Sequence, residues 1–362
     1  MSRFSIFELG NSAWSSDGTL FMALLYYNFC VLILGIETSC DETAAAVVED
    51  GVRCLSSSLA TSRELHEKTG GIVPEVAARK QVESIVPVIE DCLEKAGKTL
   101  QEMDAIAVTV GPGLIGSLVV GVAAAKALSL AAQKPVIPVN HLVGHIYGNW
   151  VDASDLPEFP AVVLIVSGGH TDLVLMRGHG DLKYLGGTLD DAAGEAFDKV
   201  ARLLGIKKYL GGAELSRVAS RCKENKLAAK LPRPMIDDKT FDFSFSGLKT
   251  AVKRVVDTGD FDLESIAYEF EQAIADVLVS KTIRAAKIHG VKSILLGGGV
   301  AANKVLRERF ETASKEIGAK LHIPPINLCT DNAIYIASAA YFNQMKKSLG
   351  EIVENPSLGI MD

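Results

Sequence analysis

Apolar positions in this chain fall into short continuous runs that alternate with longer stretches of helical spacing, and the order of the two repeats. Val31–Glu37 reads as a buried strand, Thr38–Thr43 as a tight turn and Ala44–Val48 as the returning strand, with Val52–Ala60 as a third. Pro74 to Gly97 has helical spacing with a proline where a helix tolerates one. Ala105–Val110 is another strand, after which Gly111-Pro-Gly-Leu-Ile-Gly opens an alanine-rich helix to about Gln133. Val136–Val139 is a strand, and Asn140 is suited to cap the helix that follows.

The second half starts the same way, with strand Ala161–Val166, the turn Ser-Gly-Gly-His-Thr and a return at Asp172–Met176. A helix is predicted from about Asp191 to Leu204, with further helices after it. Ser293–Leu296 is a strand leading into Gly297-Gly-Gly-Val-Ala-Ala-Asn and a helix through Phe310. Leu321–Ile323 is the last strand, and Thr330 or Asp331 is placed to cap a helix to about Met345. A hairpin followed by alternating helices and strands, twice over, predicts an α/β protein of two similar lobes around a cleft. The linear division is 1–30 as an N-terminal extension, 31–150 and 151–345 as the lobes, and 346–362 as a tail.

Composition narrows this picture. At 362 residues, 48% hydrophobic and 22% charged, the chain can bury one large core or two of domain size. Its six cysteines show no C-x-x-C spacing, which fits a reduced cytoplasmic setting. A formal net charge of −7 excludes whole-molecule attraction to nucleic acid. From Lys199 to Arg254, however, fourteen Lys/Arg stand against five Asp/Glu, among them Lys207, Lys208, Arg217, Arg221, Lys223, Lys226, Lys230 and Arg233. Such a face can follow a phosphate backbone or simply be solvated helix surface. The apolar run from Thr19 to Ile36 approaches the length of a membrane span, but Val31–Ile36 is better explained as a strand. A true start near Met22 or later is the preferred account of residues 1–30, and no membrane partner is expected.

Candidate chemistry sits in the turns and in two spaced motifs. His141 and His145 in His-Leu-Val-Gly-His would stack on one helix face, and with Asp331 in Cys-Thr-Asp-Asn they make a donor set suited to Zn or Fe(II). The competing reading is a pair of partners on a helix surface. Turns rich in Gly, Ser and Thr leave backbone amides free for phosphate oxygens, as at Thr38, Ser39, Thr43 and at Ser167, Gly168, Gly169. Asp41 and Glu42 hang over the same space, where a carboxylate can take a proton. Gly297–Gly299 allows close backbone approach to a base or ribose, and Asn303 can bond a flat polar edge.

Seven blocks, in order and with ordinary spacing over about residues 31 to 345, carry a resemblance. They are Gly35-Ile-Glu-Thr-Ser-Cys-Asp-Glu-Thr, His141-Leu-Val-Gly-His, Val166-Ser-Gly-Gly-His-Thr, Asp190-Asp-Ala-Ala-Gly-Glu-Ala-Phe-Asp-Lys, Asp242-Phe-Ser-Phe-Ser-Gly-Leu-Lys-Thr, Gly297-Gly-Gly-Val-Ala-Ala-Asn and Cys329-Thr-Asp-Asn. Together they resemble the TsaD (YgjD, Gcp) family of tRNA-modifying transferases. The resemblance implies an actin/hexokinase/Hsp70-like (ASKHA) duplicated fold. It also implies transfer of the threonylcarbamoyl group from threonylcarbamoyl-AMP to the N6 amine of adenosine 37, in tRNAs reading codons that begin with A.

Carried over residue by residue, the resemblance makes His141, His145 and Asp331 the ligands of one divalent metal, Fe(II) or Zn(II). It makes Ile165, Val166, Ser167, Gly168 and Gly169 a substrate-binding turn, and it puts Asp198, Gly212 and Asn303 against the adenylate's sugar and base. Asp41 and Glu42 fall beside the reacting centre, while Cys329 is expected to be a small packed residue. Implied partners are tRNA and, for a bacterial-type member, a TsaB-like paralogue and a TsaE-like ATPase. One departure is visible: Tyr209-Leu-Gly-Gly-Ala stands where the family has Tyr-Pro-Gly-Gly-Pro, so Leu210 and Ala213 replace two ring-fixed residues. Rival readings are an ATPase or sugar kinase of the same architecture and a non-catalytic scaffold paralogue. A metalloprotease is disfavoured because His-Leu-Val-Gly-His lacks the glutamate of H-E-x-x-H.

Overall fold

The computed structural model describes residues 30–362 except 208, 228, 260, 345 and 346. The N-terminal extension, Lys208 and the expected helix end at Met345 therefore lie wholly or in part outside the described residues. Five strands build the first sheet: β1 (Leu32–Glu37), β2 (Glu42–Glu49), β3 (Arg53–Thr61), β4 (Ala105–Gly111) and β5 (Val136–Asn140), in the order β3-β2-β1-β4-β5. The first hairpin is antiparallel, whereas β1, β4 and β5 run parallel because helices cross between them. The second sheet holds β6 (Ala161–Val166), β7 (Thr171–Gly178), β8 (Asp181–Gly187), β9 (Ser293–Gly297) and β10 (Lys320–His322). Its order, β8-β7-β6-β9-β10, repeats the first, so the two sheets are two copies of one topology.

Several elements were not anticipated, the helix Arg63–Thr69 among them. Strand β8 is a polar edge, Asp-Leu-Lys-Tyr-Leu-Gly-Gly, with only its last two residues buried. The helix Leu263–His289 spans 27 residues between the basic region and β9, capped by the Asp262 carboxylate on the Ser265 amide. It is buried on several sides: Ile266, Phe270, Ile274, Val277 and Leu278 form one apolar stripe, and Ser265, Glu269, Gln272 and Ala275 are buried on the others, so no exposed polar face sets the stripe off.

One face of the first sheet carries the helices Pro74–Ala96 and Ile115–Ala132, whose Ile85, Val88, Ile89, Val122 and Ala125 meet Leu34, Ile36, Val47 and Val108. The second of these is long and apolar enough to cross a membrane by length and composition, and one side of it packs on this sheet. The other face is covered by the last helix, Ile334–Asn343, which returns from the far end of the chain. Residues after it also pack on the first lobe: Asn355 N–H donates to Val110 O, Lys126 Nζ to Ile352 O, and Asn140 Nδ2 to Gly359 O. A division by linear order into 151–345 and 346–362 did not foresee that return.

Candidate functional site

The site forms where the first sheet's last strand runs into the helix His141–Tyr147. Asn140 caps that helix, its side-chain oxygen accepting from the amides of Leu142 and Val143. The helix lies against the second lobe, where Asn149 Nδ2 donates to Leu296 O at 2.9 Å. A Cβ on Gly297 would meet His145 O at 2.8 Å, and one on Gly298, whose φ is +92°, would meet Val166 O at 2.4 Å. These two glycines are needed to let the helix, β6 and β9 approach; Gly299 faces open space.

His141 and His145 point the same way, with ring centroids 4.6 Å apart. Asp331 Oδ1 lies 3.5 Å from the Nε2 of each, and one donor atom from each of the three residues falls within a 4.8 Å cluster. Asp331 does not cap the last helix. Asn332 does, through Oδ1 to the amides of Ile334 and Tyr335, which leaves the aspartate carboxylate free to face the histidines. Tyr335 walls the cluster, its ring 4.6 Å from that of His145.

Charge is concentrated here. Burial alone would push His141 down, but the Glu37 and Asp331 carboxylates outweigh it and lift the imidazole to about 9. Burial pushes His145 down, and the neighbouring His141 charge adds to this. Asp331 is held below the usual carboxylate range against its own burial by His141 and His145. Glu42 is lifted to about 8, first by burial and then by Asp331 and Asp41, with Arg63 opposing. Glu42 Oε1 accepts from Arg63 Nη2 at 3.1 Å, while buried Oε2 has no partner among the described residues. A pocket holding two imidazoles and several carboxylates suits one divalent cation in both donor type and charge. The chain has a candidate single-metal site.

The other expected residues divide clearly. Ser167 is half-buried, and its amide is engaged by His170 O at 2.9 Å. Gly168 and Gly169 are exposed, with nothing within 4 Å of where a Cβ would stand, while the Gly168 backbone packs against Gly194. Ile165 and Val166 are fully buried core residues. Asp198 Oδ1 accepts from the Gly212 amide at 3.0 Å, and burial raises its carboxyl. Asn303 Nδ2 donates to Ser216 Oγ and to Glu271 Oε1, while its Oδ1 caps the helix Lys304–Ile317 through the Leu306 amide. Helix Gly212–Ala219 thus connects Asp198 to Asn303, whose amide is taken up by the protein itself.

Asp41 is buried and accepts from Tyr209 Oη at 3.2 Å, which ties the variant loop of the second lobe to the first. In that loop Leu210 has φ +48°, a value a proline ring forbids, so this conformation depends on the departure from Tyr-Pro-Gly-Gly-Pro. Cys329 is packed as expected, buried with its thiol near Arg307 Nη2 and Pro325 O.

Three site residues escaped the sequence reading. Glu37 accepts from His141 Nδ1 at 2.9 Å, Arg63 pairs with Glu42, and His170 is pushed down by burial and then by the charges of His141 and His145. Only Glu37 and His170 lay inside recognisable blocks, and neither block says which way its side chain turns.

A family model described as TsaD, tRNA N6-adenosine threonylcarbamoyltransferase, matches residues 53–338. A tRNA N6-adenosine threonylcarbamoyltransferase of Dehalococcoides mccartyi is 53% identical over 311 residues, covering 86% of this chain and 93% of the relative. The protein of the same name from Geobacillus thermodenitrificans is 47% identical over 339 residues, covering 91% and 97%. Among solved structures, T. kodakarensis HypF superposes with TM-score 0.58 at 13% identity, covering 86% of this chain and 47% of that one. That likeness concerns the fold, a two-lobed α/β arrangement of the actin/hexokinase kind.

Proposed function

We infer the function from one premise: the chain belongs to the TsaD family, the tRNA N6-adenosine threonylcarbamoyltransferases. It is an acyltransferase of tRNA modification. It takes the threonylcarbamoyl group of threonylcarbamoyl-AMP to the N6 amine of adenosine 37, in tRNAs that read codons beginning with A, and releases AMP. The observation that carries this reading is the His141, His145, Asp331 cluster at the junction of the two sheets, beside the exposed Gly168–Gly169 turn. Fe(II) or Zn(II) is the proposed occupant, the cytoplasm the proposed setting. A TsaB-like paralogue and a TsaE-like ATPase are the proposed partners.

The chemistry assigns work to this chain's residues. The donor is a mixed anhydride with AMP as leaving group, so the difficulty lies in positioning a weakly nucleophilic amine. The backbone of the exposed Gly168–Gly169 turn is the part suited to meet the phosphate and stabilise the charge that grows on it as the bond breaks. Glu42, whose buried Oε2 has no partner among the described residues, is the group suited to accept the amine's proton once ionised, as it would be beside a bound divalent cation. A divalent ion held by His141, His145 and Asp331 would orient the donor and polarise its carbamoyl oxygen.

Incubation with threonylcarbamoyl-AMP, unmodified tRNA and the two partner proteins, followed by digestion and mass spectrometry, tests the whole reading. Threonylcarbamoyladenosine is expected from the wild type and not from the His141→Ala/His145→Ala double variant. AMP release with no modified nucleoside would point to another acceptor, and no turnover at all would sink the enzyme reading.

A further inference from the structure

We propose that Glu37 is the positioning residue that fixes how His141 presents itself to the metal, making His141 the anchoring ligand and His145 the adjustable one. This rests on the metal reading of the His141, His145, Asp331 cluster.

Glu37 ends β1, deep between β2 and β4, with 1% of its surface exposed. Both carboxylate oxygens are committed to donors. Oε1 accepts the Ser39 amide at 2.5 Å, and Oε2 accepts Thr109 Oγ1 at 2.6 Å and faces His141 Nδ1 at 2.9 Å. A backbone amide can only donate, so Oε1 must be an acceptor, and an ionised carboxylate leaves Oε2 an acceptor as well. The hydrogen between Oε2 and His141 then sits on Nδ1. When the imidazole loses a proton to bind a metal, the Nδ1 hydrogen stays on its Glu37 bond and the proton leaves Nε2, the atom 3.5 Å from Asp331 Oδ1. His145 has no such device: its Nδ1 is buried and has no hydrogen-bond partner among the described residues.

A purely structural link from Ser39 to Thr109 would not need a charge. Burying a carboxylate this completely is costly unless a cation compensates, and no Lys or Arg is hydrogen-bonded to Glu37 among the described residues. The His141 imidazolium supplies that compensation in the metal-free protein, and a dication on Nε2 would supply it in place of the lost proton.

Replacement by glutamine exposes the logic. If its oxygen stays with the Ser39 amide, its NH2 faces Nδ1 and Thr109, which forces the proton onto His141 Nε2 and disables the ligand. If the amide flips, two donors collide at Ser39. The full-length chain would be titrated with Co(II), following the d–d absorption bands and competition with a chelator, while melting temperatures of the metal-free proteins are recorded. Glu37→Gln is expected to weaken Co(II) binding about 10- to 100-fold and to change the band shape. Thr109→Val removes a bond to the same oxygen and leaves the His141 contact. It is expected to lower the melting temperature with Co(II) affinity nearly intact.

Glu37→Asp keeps the charge but withdraws it from Nδ1, so it serves if the glutamine variant does not fold, and an intermediate loss of affinity is expected. Equal affinity loss in Glu37→Gln and Thr109→Val, or wild-type affinity in Glu37→Asp, would overturn the proposal. Failure of the wild type to bind one Co(II) would instead remove the metal reading beneath it.

Discussion

At the scale of single residues, the cleft keeps a carboxylate where water would not. Glu42 is 6% exposed, and its pKa stands near 8 because burial and the Asp331 and Asp41 charges disfavour its ionised form. The folded state therefore holds a proton that the unfolded chain releases near 4.5. The stability from this protonated carboxyl is fully present below the unfolded value and is lost as pH rises towards 8. Glu42→Gln carries no such dependence. Melting curves of both proteins, with metal removed, should coincide most closely near pH 4.5. The variant should gain on the wild type up to pH 8, by a few kcal/mol at most. Curves that stay parallel across that range would mean the carboxyl ionises normally. The same variant should lose transferase activity, since the unpartnered oxygen that takes the proton is gone.

At the scale of elements, the sequence was legible wherever an apolar run had one exposed side or a clear breaker. The paired hairpins, the capped helix carrying the histidines and the helix after Pro74 all stand where their spacing puts them. Helix Leu263–His289 was missed because residues on several of its sides are buried, which erases the periodicity that marks a surface helix. The convergence at the site was legible only in part. Two histidines four apart on a helix announce a shared direction, but nothing local reveals that Glu37, 104 residues before His141, lies behind the first ring.

Gly35 shows how packing of elements sets that geometry. A Cβ there would stand 2.3 Å from Ala333 O and 3.0 Å from Ala337 N, so the last helix rests directly on β1. Asp331 lies just ahead of that helix. Gly35→Ala must push the helix outward, at about 1–3 kcal/mol of stability by ordinary overpacking, and carry Asp331 away from the histidines. Loss of melting temperature together with weaker Co(II) binding is the expected pair of results. A stability loss with unchanged metal affinity would show that the Asp331 segment adjusts independently of the helix.

At the scale of the whole molecule, the basic stretch is not one surface. Arg233 is half-buried and pairs with Glu269 and Asp276, Lys199 pairs with Asp191 and Glu195, and Arg217 pairs with Glu214. Lys207 reaches across the cleft to Glu67, and with the Tyr209–Asp41 bond it straps the second lobe to the first. Two clusters stay in solvent on an otherwise acidic protein: Arg221, Lys223, Lys226 and Lys230 beyond the helix Gly212–Ala219, and Lys239, Lys249, Lys253 and Arg254 further along. Charge counting could not separate them from the paired groups, because a lysine committed to a carboxylate looks the same in sequence as one facing water.

If the first cluster docks the tRNA, Arg221→Ala/Lys223→Ala/Lys226→Ala should weaken binding uniformly across tRNAs. It should also flatten the dependence of log affinity on log salt by up to about one unit per residue removed. Arg233→Ala should behave differently. It strands Glu269 in the core, so stability falls by about 3–5 kcal/mol, while the salt slope of the remaining folded protein is unchanged. Binding measured from low to moderate salt on both variants separates a docking surface from an internal ion-pair network. An unaltered slope in the triple variant would move the tRNA interface elsewhere on the molecule, with the exposed basic face of helix Ser246–Asp257, carrying Lys249, Lys253 and Arg254, next to be tried.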